Sequence, residues 1–186
     1  MNISLPPGIT CSPGVPCFNS GCYARKFYNL RTTCKLAWDH NYRLVQLERN
    51  FYFTSIGVAI ARANIKLFRW HVSGDLIDMD YLVRMNALAR TLPKVKFLAF
   101  TKQYGIIEQF ITDESDQAEN LSIVISTWPG LMIPPALDHL PTAWMRDPVK
   151  PDVRIPEKAT ECDGGCEKCG LCWGLKHGES VVFDKH

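Results

Sequence analysis

The stretch LFRWHVSGDLIDMDYLVRMNALARTLPKVKFLAFT, residues 67–101, holds two short runs rich in β-branched and aromatic residues with a helix-periodic segment between them. LFRWHVS (67–73) and VKFLAFT (95–101) both end in polar residues, and a third run of the same kind, LSIVIST (121–127), follows them. Between the first two, Leu82, Met85, Ala89 and Leu92 recur at helical spacing. Asp78 stands where it can cap the start of that helix, and Pro93 where it stops it. A weaker helical stretch around 106–110 joins the second run to the third. Strand, helix, strand, helix, strand predicts an α/β fold, a small parallel sheet with flanking helices and right-handed crossovers.

Upstream, from about residue 35 to 64, Leu36, Ala37, Leu44, Val45, Leu47, Ile56, Val58 and Ile60 follow a helical period. The aromatic run Phe51-Tyr52-Phe53 interrupts it, which predicts two helices. Residues 1–22 are rich in Pro, Gly, Ser and Cys and keep neither period, so they read as a loop shaped by its ligands. Downstream of Trp128, WPGLMIPPALDHLP and RDPVKPDVRIP predict a long surface connection. At 186 residues, 46% of them hydrophobic, the chain supports one core, and a single domain over 1–186 is expected. No apolar run of about 18 residues and no basic, apolar leader occurs, so the expectation is an intracellular protein with no membrane partner. A formal charge of +2 with mixed signs gives no strong nucleic-acid signal, and the basic, aromatic YARKFYNLR (23–31) reads as a solvated face.

Ligands of parallel sheets and barrels bind at the carboxyl ends of the strands. That rule gathers His71, Ser73, Gly74 and Asp75 from the first run, Thr101, Lys102 and Gln103 from the second, and Ser126 and Thr127 from the third. His71, Ser73 and Asp75 are the candidate catalytic residues: the imidazole can donate, accept or shuttle a proton, and the other two offer hydrogen bonds. Gly74, Thr101, Lys102 and Ser126 are the candidate substrate-binding residues, Gly74 by allowing close backbone approach. The bland alternative is a strand-to-helix turn in which Asp75 caps the next helix. A hydrolytic triad of Ser73, His71 and Asp75 lacks the G-x-S-x-G elbow.

Seven of the eight cysteines fall in two clusters. CDGGCEKCGLCW (162–173) carries Cys162, Cys166, Cys169 and Cys172, and TCSPGVPCFNSGCYARK (10–26) carries Cys11, Cys17 and Cys22. In a reducing compartment such density means metal more often than disulfide. Structural zinc favours paired C-x-x-C knuckles, whereas iron–sulfur clusters often take three thiolates from a compact run and others from elsewhere. Cys162-x3-Cys166-x2-Cys169 has the spacing of radical S-adenosylmethionine enzymes and Cys166-x2-Cys169-x2-Cys172 that of ferredoxins; both cannot operate fully at once. Cys11-x5-Cys17-x4-Cys22 is too wide for a zinc knuckle and suits a loop wrapped around a cube. The candidate metal ligands are Cys11, Cys17, Cys22, Cys166, Cys169 and Cys172. Cys34 reads as a small buried hydrophobe, and His40, His139, His177 and His186, with no partner at ligand spacing, as surface or core residues.

Taken in order, TCSPGVPCFNSGCYARK, LERN (47–50), FRWHVSGDLIDMDYL, FLAFTK, LSIVIST and CEKCGLCW with VVFDKH resemble the phage "gene product 88" family, viral and mobile-element proteins regarded as radical-SAM-like and iron–sulfur binding. The resemblance implies a partial (β/α) barrel similar to a truncated radical-SAM core, with a cluster at the carboxyl edge. It also implies S-adenosylmethionine as a second cofactor at a turn formed by Ser73, Gly74 and Asp75, and a phage-encoded protein working in the host cytoplasm. The chain departs from the radical-SAM pattern in that its one C-x3-C-x2-C run is C-terminal. The resulting expectation is a [4Fe–4S] cluster clamped between the N-terminal Cys loop (1–34) and the C-terminal Cys segment (156–186), both closing over the carboxyl edge. With one iron open it would take a small-molecule ligand, or as a Lewis acid support an esterase-like hydrolase; with all irons closed it would serve a redox partner. The competing expectation is a non-enzymatic module stapled by structural zinc or a closed cluster.

Overall fold

The short runs of residues 67–101 form strands because both of their faces find cover. In the computed structural model, which describes residues 1–19, 21–113 and 116–185, seven parallel strands make one sheet. They are β1 (Asn2–Ile3), β2 (Leu67–Trp70), β3 (Lys96–Thr101), β4 (Leu121–Ser126), β5 (Thr142–Arg146), β6 (Thr160–Glu161) and β7 (Ser180–Asp184), in the order β1-β2-β3-β4-β5-β7-β6. The register steps Phe68↔Phe97, Phe97↔Leu121, Ile125↔Thr142 and Thr142↔Ser180, so the later strands are displaced along the sheet.

The helices are α1 (Pro16–Asn19), α2 (Tyr23–Leu30), α3 (Thr32–Leu47), α4 (Arg49–Arg62), α5 (Met79–Thr91), α6 (Tyr104–Thr112) and α7 (Cys166–Cys169). Asp78 caps α5, its carboxylate accepting from Tyr81 N at 2.8 Å, and the same carboxylate binds the Arg49 guanidinium at 2.8 and 2.9 Å. Leu82, Met85 and Ala89 bury the inner stripe of α5. The break between α3 and α4 falls at Glu48 and not at the aromatic run. The aromatic run lies inside α4 and does not interrupt it: Tyr52 and Phe53 are buried against the sheet, while Phe51 is exposed. Among the described residues no helix is long and apolar enough to cross a membrane.

Side-chain alternation along the strands divides the packing in two. Phe68, Trp70, Phe97, Ala99, Ile123 and Ile125 face one core shared with α4, α5 and α6. Leu98, Val124, Ala143 and Val181 face a smaller core completed by Cys172, Trp173 and Leu175. The strand order explains why a second face is covered at all. From β1 to β5 each strand lies beside its predecessor, but β7 returns to sit between β5 and β6. Crossovers of one hand that reverse direction across a sheet cross on opposite faces. The β6–β7 connection, carrying α7, accordingly packs on the side away from α4–α6.

Two sequence-based expectations are corrected here. The region after Trp128 is not a surface connection throughout: it supplies β5, buried from Thr142 to Met145, and β7. The N-terminal residues do not begin as loop, because His71 N donates to Ile3 O at 2.9 Å and Leu5 N to Ser73 O at 2.9 Å, extending β1 along β2.

Candidate functional site

The polar residues at the ends of β2, β3 and β4 are tied together by one carboxylate. Asp75 Oδ1 accepts from Thr101 Oγ1 at 2.6 Å and Leu76 N at 2.8 Å, and Oδ2 accepts from Lys102 N at 2.8 Å. Asp75 is buried, and desolvation raises its pKa above the ordinary carboxylate value despite the lowering effect of those three donors. It caps no helix; Asp78 does that for α5. Lys102 reaches from the end of β3 to that of β4, its Nζ donating to Ser126 Oγ at 2.9 Å. Tyr104 Oη donates to Ser126 O at 2.8 Å.

The N-terminal cysteine loop is fastened to this edge. Asp75 N donates to Thr10 Oγ1 at 3.1 Å, Gln103 Nε2 to Thr10 O at 3.1 Å and Leu76 O at 2.9 Å, and Ser12 Oγ to Gln103 Oε1 at 2.7 Å. Gly74 permits the approach. Its φ is +80°, and a Cβ there would stand 2.6 Å from Thr10 Oγ1 and 3.0 Å from Leu5 O. Gly74→Ala is therefore expected to cost about 2–3 kcal/mol by overpacking and backbone strain. A lowered urea midpoint and earlier proteolysis within residues 5–12 would register it, and an unchanged midpoint would refute the close-packed turn.

Cys11, Cys17 and Cys22 are half-buried along this loop. Gly8 N donates to Cys11 Sγ at 3.3 Å. Burial pushes the Cys11 thiol up to about 11; the Gly8 N–H opposes the rise, and the charges of Asp75, Cys17 and Cys22 add to it. Burial also raises Cys17, with nearby Lys102 pulling it back down. Tyr23 Oη donates to Val72 O, seating the start of α2 against the turn after β2.

His71 and the Ser73 hydroxyl are not part of the cluster. His71 leaves the strand with φ +53°, and its Nε2 meets Tyr81 Oη at 3.1 Å in a chain that continues to Tyr52 Oη at 3.1 Å. Burial holds its pKa down to about 3, so the ring is neutral. Ser73 Oγ is buried without a hydrogen bond, so no Ser73–His71–Asp75 relay is assembled.

The C-terminal cysteines form a separate group. Cys162, Cys166, Cys169 and Cys172 line one narrow cavity of about 20 Å³ with Gly170 and Trp173. Trp173 Nε1 donates to Phe68 O at 2.9 Å and Ser122 Oγ to Cys172 O at 3.1 Å, which places the group over the face of the sheet and not at its carboxyl edge. Cys172 is pushed up to about 11, first by burial and then by the charges of Cys162, Cys166 and Cys169. Arg69 stands beside this group: its guanidinium lies 4.9 Å over the Phe100 ring centroid, and its Nη1 is 4.0 Å from Cys166 Sγ. The single clamp expected from the sequence is thus replaced by two sets of thiols. Among the described residues no three His, Cys, Asp or Glu side chains stand close enough to hold one metal ion. Thiolates on separate corners of a cluster need not converge as the ligands of one ion do.

Cys34 is half-buried on α3 rather than buried, and His40 is exposed. His139 and His177, which the sequence leaves unpartnered, come together with ring centroids 5.3 Å apart, and Gly178 N donates to His139 O. His186 lies outside the described residues. A larger groove of about 290 Å³, lined by Ile133, Leu140, Thr142, Trp144 and Arg154, lies elsewhere at the start of β5. Among the described residues that line it, the one cation, Arg154, is paired with Asp152 at 2.5 Å.

Residues 1–174 match the model of a protein family described as Gene product 88. No curated protein and no solved structure matches the chain.

Proposed function

The chain belongs to the gene product 88 family, and from that premise we propose that it is an iron–sulfur protein whose [4Fe–4S] centre sits at the carboxyl edge of the sheet. Cys11, Cys17 and Cys22 would hold it. The observation that carries the reading is the fastening of a three-thiol loop to the edge where Asp75, Lys102 and Ser126 meet. The residues present fit the group, since the donors are soft thiols and a backbone N–H already points at one sulfur. Bound there, a cluster supplies one-electron chemistry, and three protein thiolates leave one iron for an exogenous ligand. Lys102 would then bind an anionic group of a small molecule, for which S-adenosylmethionine is one candidate, through its carboxylate. Asp75, with three internal donors, acts as a positioning residue and not as a ligand for an ammonium.

The first five strands follow one another across the sheet, as in a (β/α) barrel, and we read the sheet as a partial barrel whose carboxyl edge is the active face. The reducing host cytoplasm is the compartment this reading requires, because free thiols persist there.

The test is anaerobic purification of the full chain followed by iron and sulfide assays on the wild type and on Cys11→Ser/Cys17→Ser. Iron and sulfide in equal amounts are expected, with loss of about four of each in the double variant. Metal content that the double variant leaves unchanged overturns the proposal. One contact favours a second reading, an esterase-like hydrolase: Lys102 Nζ and Ser126 Oγ, 2.9 Å apart, are a pair in which a lysine can take a serine's proton. Ester turnover that Ser126→Ala abolishes would carry it, and its absence removes it.

A further inference from the structure

We propose that Cys162, Cys166, Cys169 and Cys172 form a second, closed centre for a thiophilic metal, independent of the carboxyl-edge loop, that pins the β6–β7 crossover to the face of the sheet. All four cysteines line a single cavity, and they come from one run of the chain, C-x3-C-x2-C-x2-C. Four thiolates can take all four irons of a cube, whose corners need not converge as the ligands of one ion do, so no coordination position is left for a substrate.

Among the described residues the crossover has few other means of staying in place. Its helix α7 is four residues long and the 3₁₀ turn after it, Leu171–Gly174, is another four. Elements of that length do not hold themselves together in water. None of the described residues of that turn is buried, and Cys172, Trp173 and Leu175 are only partly covered where they meet Leu98, Val124, Ala143 and Val181. Three hydrogen bonds locate the segment: Cys162 N to Val182 O at 2.8 Å, Ser122 Oγ to Cys172 O, and Trp173 Nε1 to Phe68 O. They bracket the four thiols without joining them to one another. A bound metal would supply the missing cross-links, and metal affinity in such a segment is folding free energy. Arg69, whose Nη1 lies 4.0 Å from Cys166 Sγ, places a cation where a four-thiolate centre carries negative charge.

Exposure gives the experiment its contrast. Cys162 and Cys169 are exposed, so as free thiols they would be alkylated readily. The full wild-type chain, isolated anaerobically, is treated with iodoacetamide before and after a metal chelator, and modification is located by peptide mass spectrometry. Cys162 and Cys169 are expected to be protected, with alkylation faster by about tenfold or more after chelation, because a metal-bound thiolate is not a free nucleophile. The metal that leaves identifies the centre: iron with equal sulfide is expected for a cube, and zinc without sulfide overturns it. Cys11→Ser/Cys17→Ser should retain this protection, which separates the second centre from the first; protection lost in that variant would overturn their independence. Rapid alkylation of Cys162 and Cys169 before chelation overturns the proposal, as does a disulfide among the four.

Discussion

Asp75→Ala is expected to lower the free energy of unfolding by about 3–5 kcal/mol, the range for orphaning several buried partners of one charge. The carboxylate is the only side chain placed on all of Leu76 N, Thr101 Oγ1 and Lys102 N among the hydrogen bonds of this edge. Alanine leaves Leu76 N, the half-buried Lys102 N and the Thr101 hydroxyl without their acceptor. Thr101→Val removes one of the three contacts to the carboxylate, together with the bond that Gln103 N donates to the hydroxyl, and should cost about 2 kcal/mol. Urea unfolding monitored by tryptophan fluorescence measures both, and amide exchange at Leu76 and Lys102 should rise in the alanine variant. If Asp75→Ala loses less than the threonine variant, the carboxylate is not the tie between the loops, and it would be free to bind a ligand instead.

Acid should destabilise the fold through His71. The folded imidazole is held to about 3 by burial, while an exposed histidine in the unfolded chain takes up its proton near pH 6.5. Between those values the unfolded state binds more protons, so stability rises with pH across the window. The contribution is complete above about pH 6.5 and falls by about 1.4 kcal/mol per pH unit on acidification, reaching about 4 kcal/mol near pH 3.5. His71→Asn is the suitable comparison, because asparagine tolerates the φ of +53° at this position. Carboxylates titrate in both proteins, so the difference between their stability–pH curves isolates the imidazole. A difference that steepens below pH 6.5 is the expected result, and parallel curves would show that His71 becomes protonated without unfolding.

The first crossovers were legible because each signal was local. Asp78, Leu82, Met85 and Ala89 reveal α5 through a cap and a repeat that need no distant partner. β5 was not legible: Thr142, Ala143, Trp144 and Met145 are all buried, so no polar alternation marks them, and prolines on either side suggest loop. β6, at two residues, is too short to show any period. The carboxyl-edge cluster of Asp75, Thr101, Lys102 and Ser126 followed from the rule that parallel strands end on one side. His71 escaped that rule. Strict alternation would put it on the face opposite Trp70, but its positive φ takes the ring out of the strand pattern and toward Tyr81 on α5. The spacing of the cysteines marks two runs but not where each lies on the sheet, which depends on the reversal of strand order at β5-β7-β6, a long-range feature. His139 and His177 meet for the same kind of reason, through the pairing of β5 with β7.

That reversal also imposes a sequence of events on assembly. Among the described residues β6 pairs only with β7, and β7 comes later in the chain, so neither extends the sheet until β7 meets β5 in the register Thr142↔Ser180. During this interval β5 presents an open edge, and closing it requires a non-local parallel pairing, a slow class of step. An unpaired edge is a template for any extended segment, including the same strand from another copy. The competition between β7 and neighbouring molecules for that edge is therefore decided by concentration, and crowded synthesis at high expression favours the wrong partner.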